Sequence, residues 1–99
     1  MENRDALRTA YRQIYDDAVK LFFEHDPVGI NYEVNTDEYE PEVGTVLPRL
    51  HHARSLEDVH QILIEEFRCW FGYGTRVFDD RLKSLAFDLW KLWLTSGLA

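Results

Sequence analysis

One cysteine, Cys69, stands in a chain of 99 residues, so an internal disulfide framework is excluded. No apolar run approaches the roughly 20 residues that a membrane-spanning helix needs. The opening stretch MENRDALRTAYRQ lacks the apolar core of a secretory leader. A cytoplasmic chain without membrane contact is the expectation. There is also no G-x-S-x-G elbow, no phosphate-cradling glycine loop and no dinucleotide fingerprint. Gly72-Tyr-Gly74 follows a helical pattern, whereas phosphate loops precede one. No H-x-x-x-H or Cys/His metal spacing occurs, and the adjacent His51 and His52 point about 100° apart on a helix. His25 and His60 complete the histidines, and surface or capping roles are expected for all four. Nothing supports an enzyme, a metal or a cofactor.

What is present is apolar and acidic. Apolar residues make up 45% of the chain, enough for a folded body, and 99 residues give one helical domain over 1–99. The formal net charge is −7. Asp26, Glu33, Asp37, Glu38, Glu40 and Glu42 lie within the seventeen residues from Asp26 to Glu42, with no Lys or Arg among them. Eleven cations against the twelve other acids leave the remaining 82 residues at −1. The acidity therefore belongs to one segment. Such a segment attracts cationic partners and repels nucleic acid, so direct nucleic-acid binding is not expected.

Both sides of that segment read as helix. Leu7, Ala10, Tyr11, Ile14, Ala18, Leu21 and Phe22 follow the i, i+3, i+4 pattern, which predicts a helix from about Asn3 to Glu24, stopped at Pro27. Ile30, Tyr32 and Val34 then alternate with polar residues, three pegs for a long structured loop. Pro41 suits the first turn of a second, short helix, which Pro48 kinks or breaks. Ser55-Leu-Glu-Asp58 matches a capping box ahead of the stripe Leu56, Val59, Leu63, Phe67 and Trp70. Gly72 and Gly74 close that helix, and Thr75 can cap a last one reaching about Ser96. Cys69 on the third helix is expected to be a buried or half-buried, inert thiol. The fold expected is all-α, a compact four-helix bundle with the long loop between helices 1 and 2.

The last helix is apolar on too many sides. Phe78, Leu82, Leu85, Leu89, Leu92 and Trp93 define one face, and Phe87, Trp90 and Leu94 an adjoining one. A surface helix needs an apolar stripe of a little over 100°. Either the helix is central, or the Phe87/Trp90/Leu94 edge meets a second copy of the chain. Tyr39, ringed by carboxylates, is either an interface anchor or a further peg on the bundle. The carboxylates at 37, 38, 40 and 42 lack the glycine and ligand spacing of a calcium loop.

The stretches Asp26-Pro-Val-Gly-Ile30, Asp37-Glu-Tyr-Glu40 and Glu42-Val-Gly-Thr-Val-Leu47 carry a resemblance. They are similar to a D-P-x-G-I … D-E-Y-[DE]-x-E pattern in small bacterial helical proteins without an assigned activity. Some of those resemble immunity proteins of toxin systems. The likeness covers about residues 20–70. It implies a helical fold and leaves the activity open.

Two functions follow as expectations. The first is an immunity- or antitoxin-type inhibitor that covers a basic partner, such as a toxin nuclease. Its partner-binding residues would be Asp26, Glu33, Asp37, Glu38, Tyr39, Glu40 and Glu42. The second is a structural or regulatory homo-oligomer, a homodimer included, joined through Phe87, Trp90 and Leu94.

Overall fold

The computed structural model describes residues 9–27, 29, 39–72 and 79–98. Four α-helices carry them: α1 Tyr15–His25, α2 Glu40–Val46, α3 Leu56–Phe71 and α4 Asp79–Thr95, with a 3-10 helix, Leu47–His52, between α2 and α3. The fold is an all-α bundle. Among the described residues α4 packs on both α1 and α3, and α2 packs on α1 and α3. No described helix is long and apolar enough to cross a membrane.

Local chemistry accounts for most helix ends. Pro41 occupies the first turn of α2, where its missing N–H is no loss, and Pro48 falls where the α-helix gives way to the 3-10 turn. Ser55 accepts a hydrogen bond from the Asp58 N–H at 3.2 Å and so caps α3. The Asp58 carboxylate reaches back to the Arg54 N–H at 2.8 Å, one residue further out than the reciprocal bond of a capping box. Gly72 closes α3 at φ 74°, a conformation that favours glycine.

The first helix differs from expectation. Thr9 and Ala10 are helical, residues 11–14 form a turn, and α1 follows from Tyr15, so the expected single helix is broken in two. The Tyr11 carbonyl accepts from both Ile14 N–H at 2.9 Å and Tyr15 N–H at 2.7 Å, so the ladder tightens there. Neither proline nor glycine marks this turn. Tyr11 and Ile14 are buried on either side of it, whereas Ala10 is exposed. Tertiary packing overrides the periodic pattern here. Asn3, Leu7, Ile30, Tyr32, Val34, Thr75 and Phe78 lie outside the described residues, as does most of the expected loop.

The core is one cluster of buried side chains drawn from every element. Aromatic rings join its upper half: Phe67 lies 6.1 Å from Phe22, 6.0 Å from Tyr39 and 5.8 Å from Phe71. Leu82, Leu85, Ala86, Leu89 and Trp93 seat α4 in this core, with Trp90 and Leu92 half-buried beside it. Trp93 meets the exposed His51 edge-on at 4.9 Å. The two explanations for α4 are thus both realised in part. The helix sits between α1 and α3, and an edge of it still faces outward at Phe87 (52% exposed) and Leu94 (53%).

Two further expectations are corrected. Cys69 is exposed, because it lies off the buried Val59/Leu63/Phe67 stripe of α3. Trp70 leaves the buried stripe and is 45% exposed, while Phe71 beside it packs against the core.

Candidate partner-binding site

The acidic segment begins at the C-terminal end of α1. His25 and Asp26 there both reach α4. The His25 Nε2 lies 2.8 Å from Asp88 Oδ2, and the Arg81 guanidinium donates to the Asp26 carbonyl at 2.9 Å. Arg81 and Asp88 are seven residues apart, two turns along one face of α4. Asp26 adopts the left-handed conformation, φ 48° and ψ 60°, with its own N–H bonded to the Phe22 carbonyl. Aspartate tolerates that geometry better than most residues. Pro27 follows and bars the right-handed alternative. Its ring is buried.

The far end of the segment returns to the same place. The Tyr39 hydroxyl donates to Asp26 Oδ1 at 2.6 Å across an interval of 13 residues. The Tyr39 ring is fully buried among Phe22 and Phe67. It is therefore a peg, and its inclusion among outward partner-binding residues is corrected. A phenol whose ring fills a core gap, with only its hydroxyl at the polar margin, has no face left for a partner.

Glu40 and Glu42 also belong partly to the scaffold. Glu40 accepts from the Tyr15 hydroxyl at 2.6 Å, which ties the start of α2 to the start of α1. Glu42 is 5% exposed, on the inner side of α2 beside Val43. Its place as an outward charge is corrected as well. The first turn of a helix offers free N–H groups and a positive dipole end, which offsets part of the cost of burying a carboxylate. Asp26 keeps 18% of its side chain exposed, with Arg81 Nη1 3.7 Å from Oδ2. Glu33, Asp37 and Glu38 lie outside the described residues.

The scaffold next to α2 is polar and closed upon itself. Arg49 forks to Glu65 at 2.6 Å and Glu66 at 2.9 Å, bonding α3 to the 3-10 helix. Glu65 is held below the usual carboxylate range, first by the hydrogen bond from Gln61 and then by that from Arg49. One turn away, the Trp70 indole N–H donates to Thr45 Oγ1 at 2.9 Å. His60 Nε2 is 3.7 Å from Asp79 Oδ1 between α3 and α4. An open groove of about 370 Å³ between α1 and α4 is lined by Asp17, Lys20, Leu21, Glu24, Asp88 and Leu92. Among the described residues no three His, Cys, Asp or Glu side chains gather as metal ligands.

No protein-family model matches the chain, and no curated protein or solved structure matches it either. Charge and anchoring are what the site itself supplies. The Asp26–Tyr39 bond and the Arg81 contact were not readable beforehand, because they join residues 13 and 55 positions apart.

Proposed function

We propose that this chain is a non-catalytic binding protein that covers a basic surface on a partner protein with its 26–42 segment, as immunity- and antitoxin-type inhibitors do. The observation that carries the reading is the clamp at the foot of the segment. Asp26 and Tyr39 close the interval between them on the bundle, and Tyr15 holds Glu40 beside it. Between the closed ends the sequence places Glu33, Asp37 and Glu38 and no cation. Closing a loop costs entropy that grows slowly with its length, and here the fold bears that cost before a partner arrives. Like charges on a mounted segment also speed encounter with a basic cleft.

The test uses the partner captured natively from the host and identified by mass spectrometry. The triple variant Glu33→Gln, Asp37→Asn, Glu38→Gln removes charge without touching the clamp. Its association rate at low salt is expected to fall about tenfold or more, and its salt dependence to flatten. An unchanged rate with an unchanged salt slope would refute the reading.

A second reading, self-association, rests on the exposed Phe87 and Leu94, one above the other on α4. Lys91 Nζ lies 5.1 Å from the Phe87 ring centroid and shields part of it. Light scattering from about 10 to 500 µM, a range spanning weak dimers, decides the matter. A mass that rises with concentration and drops to that of a monomer in Phe87→Glu/Leu94→Glu supports a dimer. A constant monomer mass removes it. Trp90 is a poorer probe, because it packs against the core and its loss would also destabilise the fold.

A further inference from the structure

The outward line of α2 is chemically unlike the rest of the surface. Val43, Val46, Leu47 and Leu50 point inward and are fully buried. On the other side of α2, Pro41 is exposed and Gly44 and Thr45 half-buried at the i, i+3, i+4 spacing of one face, and the exposed Pro48 follows in the first turn of the 3-10 helix. That face carries no charge. It is also built from poor helix formers: glycine costs a helix about 1 kcal/mol against alanine, and Pro48 ends it. Helix stability does not account for the choice. A flat face without long side chains lets another backbone approach closely.

Trp70 stands at the edge of this face. Its indole N–H is bonded to Thr45 Oγ1, and that hydroxyl donates in turn to the Glu42 carbonyl at 3.1 Å. The ring is thus fixed, its polar atom is satisfied, and 45% of the residue remains in solvent. The foot of the acidic segment is close by, because Phe67, one turn before Trp70 on α3, packs against Tyr39 at 6.0 Å.

We infer that Pro41, Gly44, Thr45, Pro48 and Trp70 form the apolar centre of the partner interface, and that Trp70 receives an arginine side chain of a basic partner. This rests on the reading above, in which the acidic segment draws such a partner in. Tryptophan and arginine are the residues most enriched where interfaces concentrate their energy. A guanidinium stacks flat on an indole, whereas an ammonium, compact and strongly hydrated, gains less there. An acidic segment whose described end, Tyr39, lies beside the helix that carries a fixed, exposed tryptophan therefore favours arginine over lysine.

Capped hexa-arginine and hexa-lysine peptides, equal in charge, separate this from plain electrostatics. Binding is measured at about 50 mM salt, where screening is weak, by following the ¹⁵N-indole resonances of the full chain. Hexa-arginine is expected to bind about 3- to 30-fold more tightly than hexa-lysine and to move the Trp70 signal. Trp70→Ala is expected to bring that ratio near one, and Trp70→Phe to keep part of it. Alanine is a good helix former, so the variant retains α3, which circular dichroism confirms. Equal binding of the two peptides by the parent chain, or an unchanged ratio in Trp70→Ala, overturns the arginine site alone. If the triple carboxylate variant binds hexa-lysine as the parent does, the acidic-segment reading falls instead. Binding of neither peptide by the parent chain overturns both.

Discussion

Phe67→Ala is expected to lower the free energy of unfolding by about 3–5 kcal/mol, the range for truncating a buried phenylalanine. For a chain of this size that is a large share of the total, since small domains are stable by roughly 5–15 kcal/mol. Phe67 has no exposure and touches rings from three places: Phe22 on α1, Tyr39 at the entry to α2 and Phe71 one turn on. Removing it leaves a void that none of these can fill, because Tyr39 is tied by its hydroxyl and Phe22 by its place on α1. Urea unfolding followed by circular dichroism reads the change as a lower midpoint with the slope retained. Phe67→Leu, which keeps most of the volume, is expected to cost about half as much or less. A loss below about 1 kcal/mol for Phe67→Ala would mean that these rings do not form one packed unit.

The same cluster explains which features the sequence disclosed. Pro41, Pro48, Ser55 and Gly72 act through their own backbone or their nearest neighbours, so their positions alone announced the bounds of α2 and α3. The alternation of Val59, Leu63 and Phe67 announced which side of α3 is inside. Two errors came from reading such a pattern without what packs against it. Trp70 continues the stripe in spacing, yet it is 45% exposed and bonds through its indole N–H to Thr45 on α2. Tyr11 and Ile14 fit the helical period equally well whether or not a turn intervenes, so the break before Tyr15 left no trace. In α4 the width of the apolar surface was legible, whereas its division into a seated face and an exposed edge depended on where α1 and α3 pack.

The candidate site was legible as charge and hidden as geometry. Counting residues located the acidity in one segment. It could not show that Asp26 and Glu40 serve the scaffold in part, because their partners are Tyr39, Arg81 and Tyr15 on other elements, or that Glu42 is buried on the inner side of α2. Carboxylates near helix ends are often used twice in this way, once for the dipole and once for a tertiary bond. In the function proposed above, the charge that meets a partner is carried in the sequence by Glu33, Asp37 and Glu38.

Asp26→Ala is expected to cost about 2–4 kcal/mol, well beyond the loss of one surface contact. The Tyr39 hydroxyl would lose its acceptor at the margin of the core, worth about 1–3 kcal/mol for a bond to a charged group. Alanine at a left-handed position adds about 1 kcal/mol of backbone strain. Asp26→Asn keeps a carbonyl acceptor and a residue that tolerates this backbone. It weakens the bond from the Tyr39 hydroxyl, now to a neutral acceptor, and loses the attraction to a half-exposed Arg81, so about 1–2 kcal/mol is expected. Tyr39→Phe removes the donor and leaves the net charge untouched, at about 1–2 kcal/mol. Combining Asp26→Ala with Tyr39→Phe should cost less than the sum by about 1 kcal/mol or more, which isolates the bond between them. Asp26→Ala within about 0.5 kcal/mol of the parent would show that the clamp contributes nothing to the fold. Tyr39→Phe then carries the functional question. With every carboxylate still present, a slower association with the basic partner and an unaltered salt slope would assign the effect to the anchoring of the segment. An unaltered rate would assign partner capture to charge alone, with the clamp serving only the stability of the bundle.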